Sequence, residues 1–522
     1  GERVAINMTG GEIKRTDTGT PATLADGHLG LRGNTLFKIS GDAKLNIPRI
    51  SVGGEIVDNV KSGAILEIGN LNNALAVGAI AVGGWLVFNN TYNQQITTTI
   101  TNYTAAGSTT PVAGDVEKKG AGVLSLQGTH TYTGITLVSE GTLKLLTANA
   151  IQQSSLVKIA TGATLWMSGL TQSFKALQLD GGTLQGGIVN ISGTDAAILS
   201  NGGTLRNISG GADLDLVAGT AAAKRTTTLV TADATGTNIF GLIKVQEYTH
   251  LQVNSTTSST SAVLVAQSGE LQIGDATTAG FLNANINNGG TVILNNLSAD
   301  FNRIISDFNP QFTGSLVKDG TSITRLVAGQ TYTGTTTIKS GTLLLGLNNA
   351  LSADSAVTIA GGKLDLGGNS QYIKRVNLAS GTLANGTLGT GSSVTSRGGT
   401  IDTITATGIA LSLAAADNVY NPLVTTMTGA NTFGAVTINA NSKLIIATLW
   451  GRSPGTYSTF SDMEIKSGGV LQLGNGTEGG SFKMTSPDQV IKNGGTVYIN
   501  VAVGYAIGDT EYLDVTASFG FG

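Results

Sequence analysis

The sequence predicts an all-β chain wound as a right-handed parallel β-helix (β-solenoid), a single elongated rod. Three observations carry that expectation. Apolar residues alternate with polar or small ones over short segments, the segments recur about every 20 residues, and tight-turn pairs stand between them. Composition points the same way. Among 522 residues there are 74 glycines, 7 prolines, no cysteine and 5% aromatics, too few large side chains to fill a compact α/β enzyme core of that size. An apolar fraction of 40% excludes a disordered chain. With 30 basic and 33 acidic side chains there is no cationic field to hold a polyanion, so no nucleic acid partner is expected. The lack of Cys removes disulfides, Cys-based zinc sites and thiol nucleophiles together. The longest nearly apolar run, Ala74 to Phe88, is broken by Gly78, Gly83 and Gly84 and falls short of the roughly 20 residues of a membrane-spanning helix. With Gly1 first and no basic-then-apolar leader, the sequence reads as a mature chain after processing or as a trimmed one.

The strands are read from segments such as Gly141 to Leu146, Ala163 to Met167, Gly182 to Leu184 and Gly469 to Leu473, in which every second residue is apolar. Between them stand Gly-Gly, Asn-Gly, Asn-Asn, Ser-Gly and Asp-Gly pairs, which tolerate the positive φ of tight corners. No stretch keeps helical periodicity with capping signals. A larger period appears when the chain is laid on itself. Lys118 to Gly134 returns as Val317 to Gly334, with Tyr132 falling on Tyr332, and Gly141-Thr142-Leu143 falls on Gly341-Thr342-Leu343. Lys61 to Asn70 matches Lys466 to Asn475, and Ser268 to Gly274 resembles Ser467 to Gly474. The chain thus divides into 1–33, a cap or first coils; 34–116, a B block; 117–237, an A block; 238–316, B; 317–430, A; and 431–522, B with the carboxy-terminal coils. A propeller fits this cycle less well, because its blades need about 40 residues and aromatic anchors. At roughly 20 to 25 residues per coil the chain makes about 20 to 25 coils, and at about 4.8 Å per coil the rod is on the order of 100 Å long.

The A block resembles the passenger-associated transport repeat of bacterial autotransporter passengers, in which a Gly-rich strand, an N-T-Y-T-G turn and a G-T-L strand follow one another. The residues that carry the resemblance are Thr131, Tyr132, Thr133, Gly134, Gly141, Thr142 and Leu143, and again Thr331, Tyr332, Thr333, Gly334, Gly341, Thr342 and Leu343. His130 and Gln330 stand where the pattern has Asn, and Ala299 to Phe308 is similar to the lead-in such passengers often have. The resemblance implies export across the outer membrane through a carboxy-terminal barrel of the same polypeptide, then surface display or release. No such barrel follows in this sequence, so either it was removed or the chain reaches the outside by another route; the tail Gly508 to Val515 resembles the last coil before such a barrel, which favours removal.

Candidate chemistry is sparse. Gly451-Arg452-Ser453-Pro454-Gly455 matches the nucleophile-elbow pattern, but no histidine follows Ser453. Gly474 to Gly479 spells a dinucleotide fingerprint without the helix it requires, and a coil corner is the simpler reading. The exchange of His130 for Gln330 between copies suggests an exposed or turn position. Asp213 and Asp215, two apart on one strand face, are the best carboxylate pair for calcium or for work on a glycan, though a solvated face is the commoner cause. Trp166, in an alternating strand, is expected in the core. Leu449 to Phe460 has no counterpart in the other B blocks, and an insertion on a regular scaffold is where binding residues gather. Trp450, Arg452 and Tyr457 are therefore the binding candidates. No catalytic residue, metal or cofactor is expected. The expected role is contact and display, as an adhesin or structural surface protein, with host-cell or bacterial surface molecules as partners. End-to-end self-association into a filament, a released effector that engages a host-cell receptor and a β-helical polysaccharide-degrading enzyme are the alternatives.

Overall fold

A computed structural model describes residues 4–500 apart from 10–11, 15–27, 32–34, 43, 53–63, 72–75, 105–107, 194–195, 231–236, 298–299, 418–421, 448–456, 476, 478–479, 481 and 486–490. Among the described residues every regular element is a β-strand, and the coils stack in parallel as a β-solenoid of about 18 turns. That is fewer turns than the sequence spacing implied. Several coils exceed 25 residues, as between the register partners Thr400 and Thr426 or Ile445 and Gln472. No helix among the described residues is long and apolar enough to cross a membrane.

The chain divides into two units, Gly1–Val263 and Leu264–Gly522. In the first, the alternating apolar positions stack in register from coil to coil. Leu124, Leu143, Leu165, Leu184, Leu205, Leu229 and Val253 form one inward ladder, and all are buried. A second ladder runs through Leu86, Val116, Thr136, Val157, Leu177, Ile198, Leu214 and Ile243. Each buried Leu, Ile or Val contributes roughly 1.5–3 kcal/mol, so a narrow core needs no large aromatic to close it. The outward positions between them form rows of their own. Thr142, Thr164, Thr183, Thr204 and Thr228 lie in register on five successive coils, each half-buried.

The second unit repeats the plan. Thr324, Leu343, Leu364, Leu383, Ile401, Met427 and Ile446 stack inward, as do Leu316, Thr336, Val357, Val376, Val394, Leu411, Val436, Met463 and Ile491. Its outward row is Thr342, Lys363, Thr382, Thr400 and Thr426.

Trp166 corrects an expectation. It ends the strand Thr164–Trp166 at an outward position of the alternation and is only half-buried, with Lys144 Nζ of the coil before it 3.9 Å from the ring centroid. The alternation was right, but Leu165 takes the inward side, so the indole is left on the sheet face, where a cation covers it.

Candidate functional site

Both copies of the duplicated segment bury polar side chains, Lys118, His130, Thr136 and Ser154 in the first and Lys318, Gln330, Thr336 and Ser355 in the second. In the first, the strand Asp115–Lys119 turns a corner into Val123–Leu126, the chain passes through Thr131 to Thr133 outside the strands, and the strands Ile135–Val138 and Thr142–Leu145 repeat the corner one coil on. The strand alternation aims Lys118 inward, in register with Phe88 below and Val138 above, and the side chain is almost fully buried. Its Nζ donates to the carbonyls of Lys119 at 2.5 Å, Gly120 at 2.6 Å and Glu140 at 3.3 Å. Lys318 does the same in the second copy, reaching the carbonyls of Asp319, Gly320 at 2.9 Å and Asn295 at 3.5 Å. Each ammonium thus collects the carbonyls that a corner leaves without strand partners. Burial pulls both lysines down to about 8, partly offset by Glu140 beside the first and Asp319 beside the second, and both are charged at neutral pH.

The tyrosine of each copy is fully buried, between exposed Thr131 and half-buried Thr133 in one and exposed Thr331 and Thr333 in the other. Tyr132 OH shares a hydrogen with Thr136 Oγ1 at 2.6 Å. Thr136 donates to Ser154 Oγ at 2.9 Å, and Ser154 donates to the Gly134 carbonyl at 2.9 Å. Tyr332, Thr336 and Ser355 repeat the chain at 2.5 and 2.8 Å. The hydroxyls satisfy one another where the ladder would otherwise hold a lone buried phenol. Burial raises both phenols far above their ordinary range, so they remain donors. The glycines are fixed by approach. A Cβ at Gly141 would meet the carbonyls of Gly120 and Gly122, one at Gly341 those of Gly320 and Ser322, and both residues hold φ of 62°. Leu143 and Leu343 are buried rungs, and Thr142 and Thr342 stand in the outward rows.

His130 and Gln330 are buried, which overturns the exposed position that their exchange suggested as one of two alternatives. Both perform one task. The Ile100 amide donates to His130 Nδ1 at 3.2 Å, and the Ile305 amide to Gln330 Oε1 at 2.8 Å. One coil on, Ala150 donates to Gln172 Oε1 at 3.0 Å and Ala350 to Gln371 Oε1 at 2.9 Å. The substitution is tolerated because each side chain offers an acceptor at the same depth. Sequence reasoning missed Lys118, Thr136 and Ser154 with their partners Lys318, Thr336 and Ser355. A lysine repeated at an inward position of an alternating strand was the signal available.

The remaining candidates are distributed. Trp450 and Arg452 lie outside the described residues, as does the Gly451–Gly455 pattern, and Tyr457 is half-buried at the entry to the strand Ser458–Ile465. Asp213 and Asp215 do share an outward strand face, but each is engaged by the next coil. Asp213 Oδ1 accepts the Leu242 amide at 2.7 Å, and Asp215 meets Lys244 at 3.6 Å and Gln246 Nε2 at 2.9 Å. In the fingerprint segment Asn475 Oδ1 accepts from the Thr477 amide and hydroxyl at 2.9 Å, as Asp275 does from Thr277, a side-chain-closed corner in both places.

The family described as passenger-associated-transport-repeat matches residues 116–145 and 316–345, the two segments whose geometry is given above. No curated protein and no solved structure matches the chain. Two such repeats in a parallel β-solenoid fit the passenger domain of an autotransporter. Repeats of this family imply secretion to the cell surface or the extracellular space.

Proposed function

We propose that this chain works as an exported passenger that adheres by contact, without catalysis. The observation that supports this reading best is the division of labour between buried and outward polar groups. Lys118, Tyr132, Thr136, Ser154 and their counterparts are spent on joining coils, and outward Asp213 and Asp215 are tied to the next coil. Among the outward residues of the first unit a row of half-buried threonines repeats from coil to coil. The segment Leu449 to Phe460, with Trp450, Arg452 and Tyr457, is the proposed determinant of specificity.

The test is adhesion of beads coated with the purified chain to epithelial cells and to bacteria. Saturable attachment that soluble chain competes away, and that W450A with Y457A weakens at least about tenfold, is expected. Attachment equal to beads coated with an unrelated protein would refute adhesion. Sedimentation of the same preparation as growing polymers would favour the filament, and glycan breakdown abolished by substituting Asp213 and Asp215 would favour an enzyme.

A further inference from the structure

We propose that His130 is a pH-sensitive latch between the strand Thr99–Asn102 and the first transport repeat, and that the equivalent joint of the second repeat, latched by Gln330, lacks this response. The proposal concerns regulation of the fold and does not depend on what the chain binds.

The geometry is specific about protonation state. His130 Nδ1 accepts the Ile100 amide, so the proton of the neutral ring sits on Nε2. That nitrogen is buried and has no hydrogen-bond partner among the described residues. Around it the Thr131 amide donates to the Ile100 carbonyl at 2.8 Å and the His130 amide to the Ala150 carbonyl at 2.8 Å, so the latch lies between two coils and touches both. A second proton has nowhere to go but Nδ1, where it would face the N–H of Ile100. The ring would then carry two donors without an acceptor, and the joint would lose the bond that closes it.

No counter-charge waits to receive the imidazolium. On the coil below, residues 94–102 contain no titratable side chain; in the segment of His130 itself, 127–134, there is only buried Tyr132; above, 147–157 and 171–174 contain none. The charged groups of the adjoining strands are engaged elsewhere. Asp115 accepts the Ile135 amide, Glu117 meets Lys119 at 3.5 Å, Lys118 holds its carbonyls, Glu140 accepts the Gly120 amide, and Lys144 covers Trp166. Burial accordingly holds His130 down at about 4.

The sign follows from proton uptake. An opened joint binds its proton near the ordinary histidine pKa of about 6.5, and the closed joint only near 4, so the closed state loses ground as pH falls from 6.5 to 4 and nothing changes above 7. In the second repeat Gln330 Nε2 donates to the carbonyls of Arg303 and Ala328 at 3.1 and 2.7 Å while its Oε1 holds Ile305, and no part of that arrangement titrates.

The experiment is peptide-resolved hydrogen exchange on the full chain at pH 7.5, 6 and 5, corrected for the intrinsic rate. We expect the opening constant of the peptide containing Ile100 to rise about 30-fold between pH 7.5 and 5, with the peptide containing Ile305 unchanged. His130→Gln should abolish the rise while leaving the chain folded. The proposal is overturned if Ile100 and Ile305 respond alike, or if His130→Gln keeps the acid response. Should that variant fail to fold, the comparison of the two peptides in the natural chain decides alone.

Discussion

At the scale of single residues the core is a column in which each position is judged by the rungs above and below it. Thr324 shows this. It is buried in the ladder beneath Leu343, its hydroxyl has no partner among the described residues, and the first copy carries Leu124 at the same place. Thr324→Val keeps the shape and removes a stranded donor, so we expect a local gain of about 1 kcal/mol, read as a higher midpoint of the urea transition of the second unit. Lys118 is the opposite case, a buried cation with its acceptors in place. Lys118→Met leaves corner carbonyls without a donor and should cost about 2–3 kcal/mol by the same measurement on the first unit. Its pH signature has a definite direction. An unfolded lysine titrates near 10.5 and the folded one near 8, so between those values the folded chain holds fewer protons and stability rises with pH. Urea midpoints should climb from pH 8 to 10, and the climb should shrink in Lys118→Met.

At the scale of the element the two transport repeats behave as interchangeable corners. Gly341→Ala would force a side chain into a left-handed backbone and against the carbonyls of Gly320 and Ser322, and we expect a loss of at least about 2 kcal/mol. Tyr332→Phe removes a single hydroxyl and leaves Thr336 bonded to Ser355, so about 1 kcal/mol is expected. Thermal melts of the two variants check the ranking. Much of this was legible in the sequence, because period-two alternation decides the face of each residue and the glycines mark where the chain must bend. The alternation showed that Trp166 sits in a strand, but the expectation put it on the wrong side; Leu165 takes the interior, in line with the other leucines of its ladder. The roles of His130 and Gln330 were hidden because exchange between chemically different residues resembles surface drift. Only the backbone shows that both meet the same amide.

At the scale of the whole molecule the chain repeats one plan in two units, and each coil contacts chiefly the coils before and after it. Such proteins unfold as linked neighbours rather than as one block. The three tryptophans are Trp85, Trp166 and Trp450, so W450F confines indole fluorescence to the first unit. We expect the fluorescence transition of that variant in urea to part from the circular-dichroism transition, and coincident curves would mean a single cooperative block. The threonine rows carry a further consequence. Because Thr142, Thr164, Thr183, Thr204 and Thr228 offer the same methyl and hydroxyl at each strand spacing, any feeble grip gained by one of them is available at the next without new invention. Under the proposed adhesive role such a surface would gather strength through valency, so that a polymeric target with a matching repeat would be held by many weak contacts and its isolated monomer by too few.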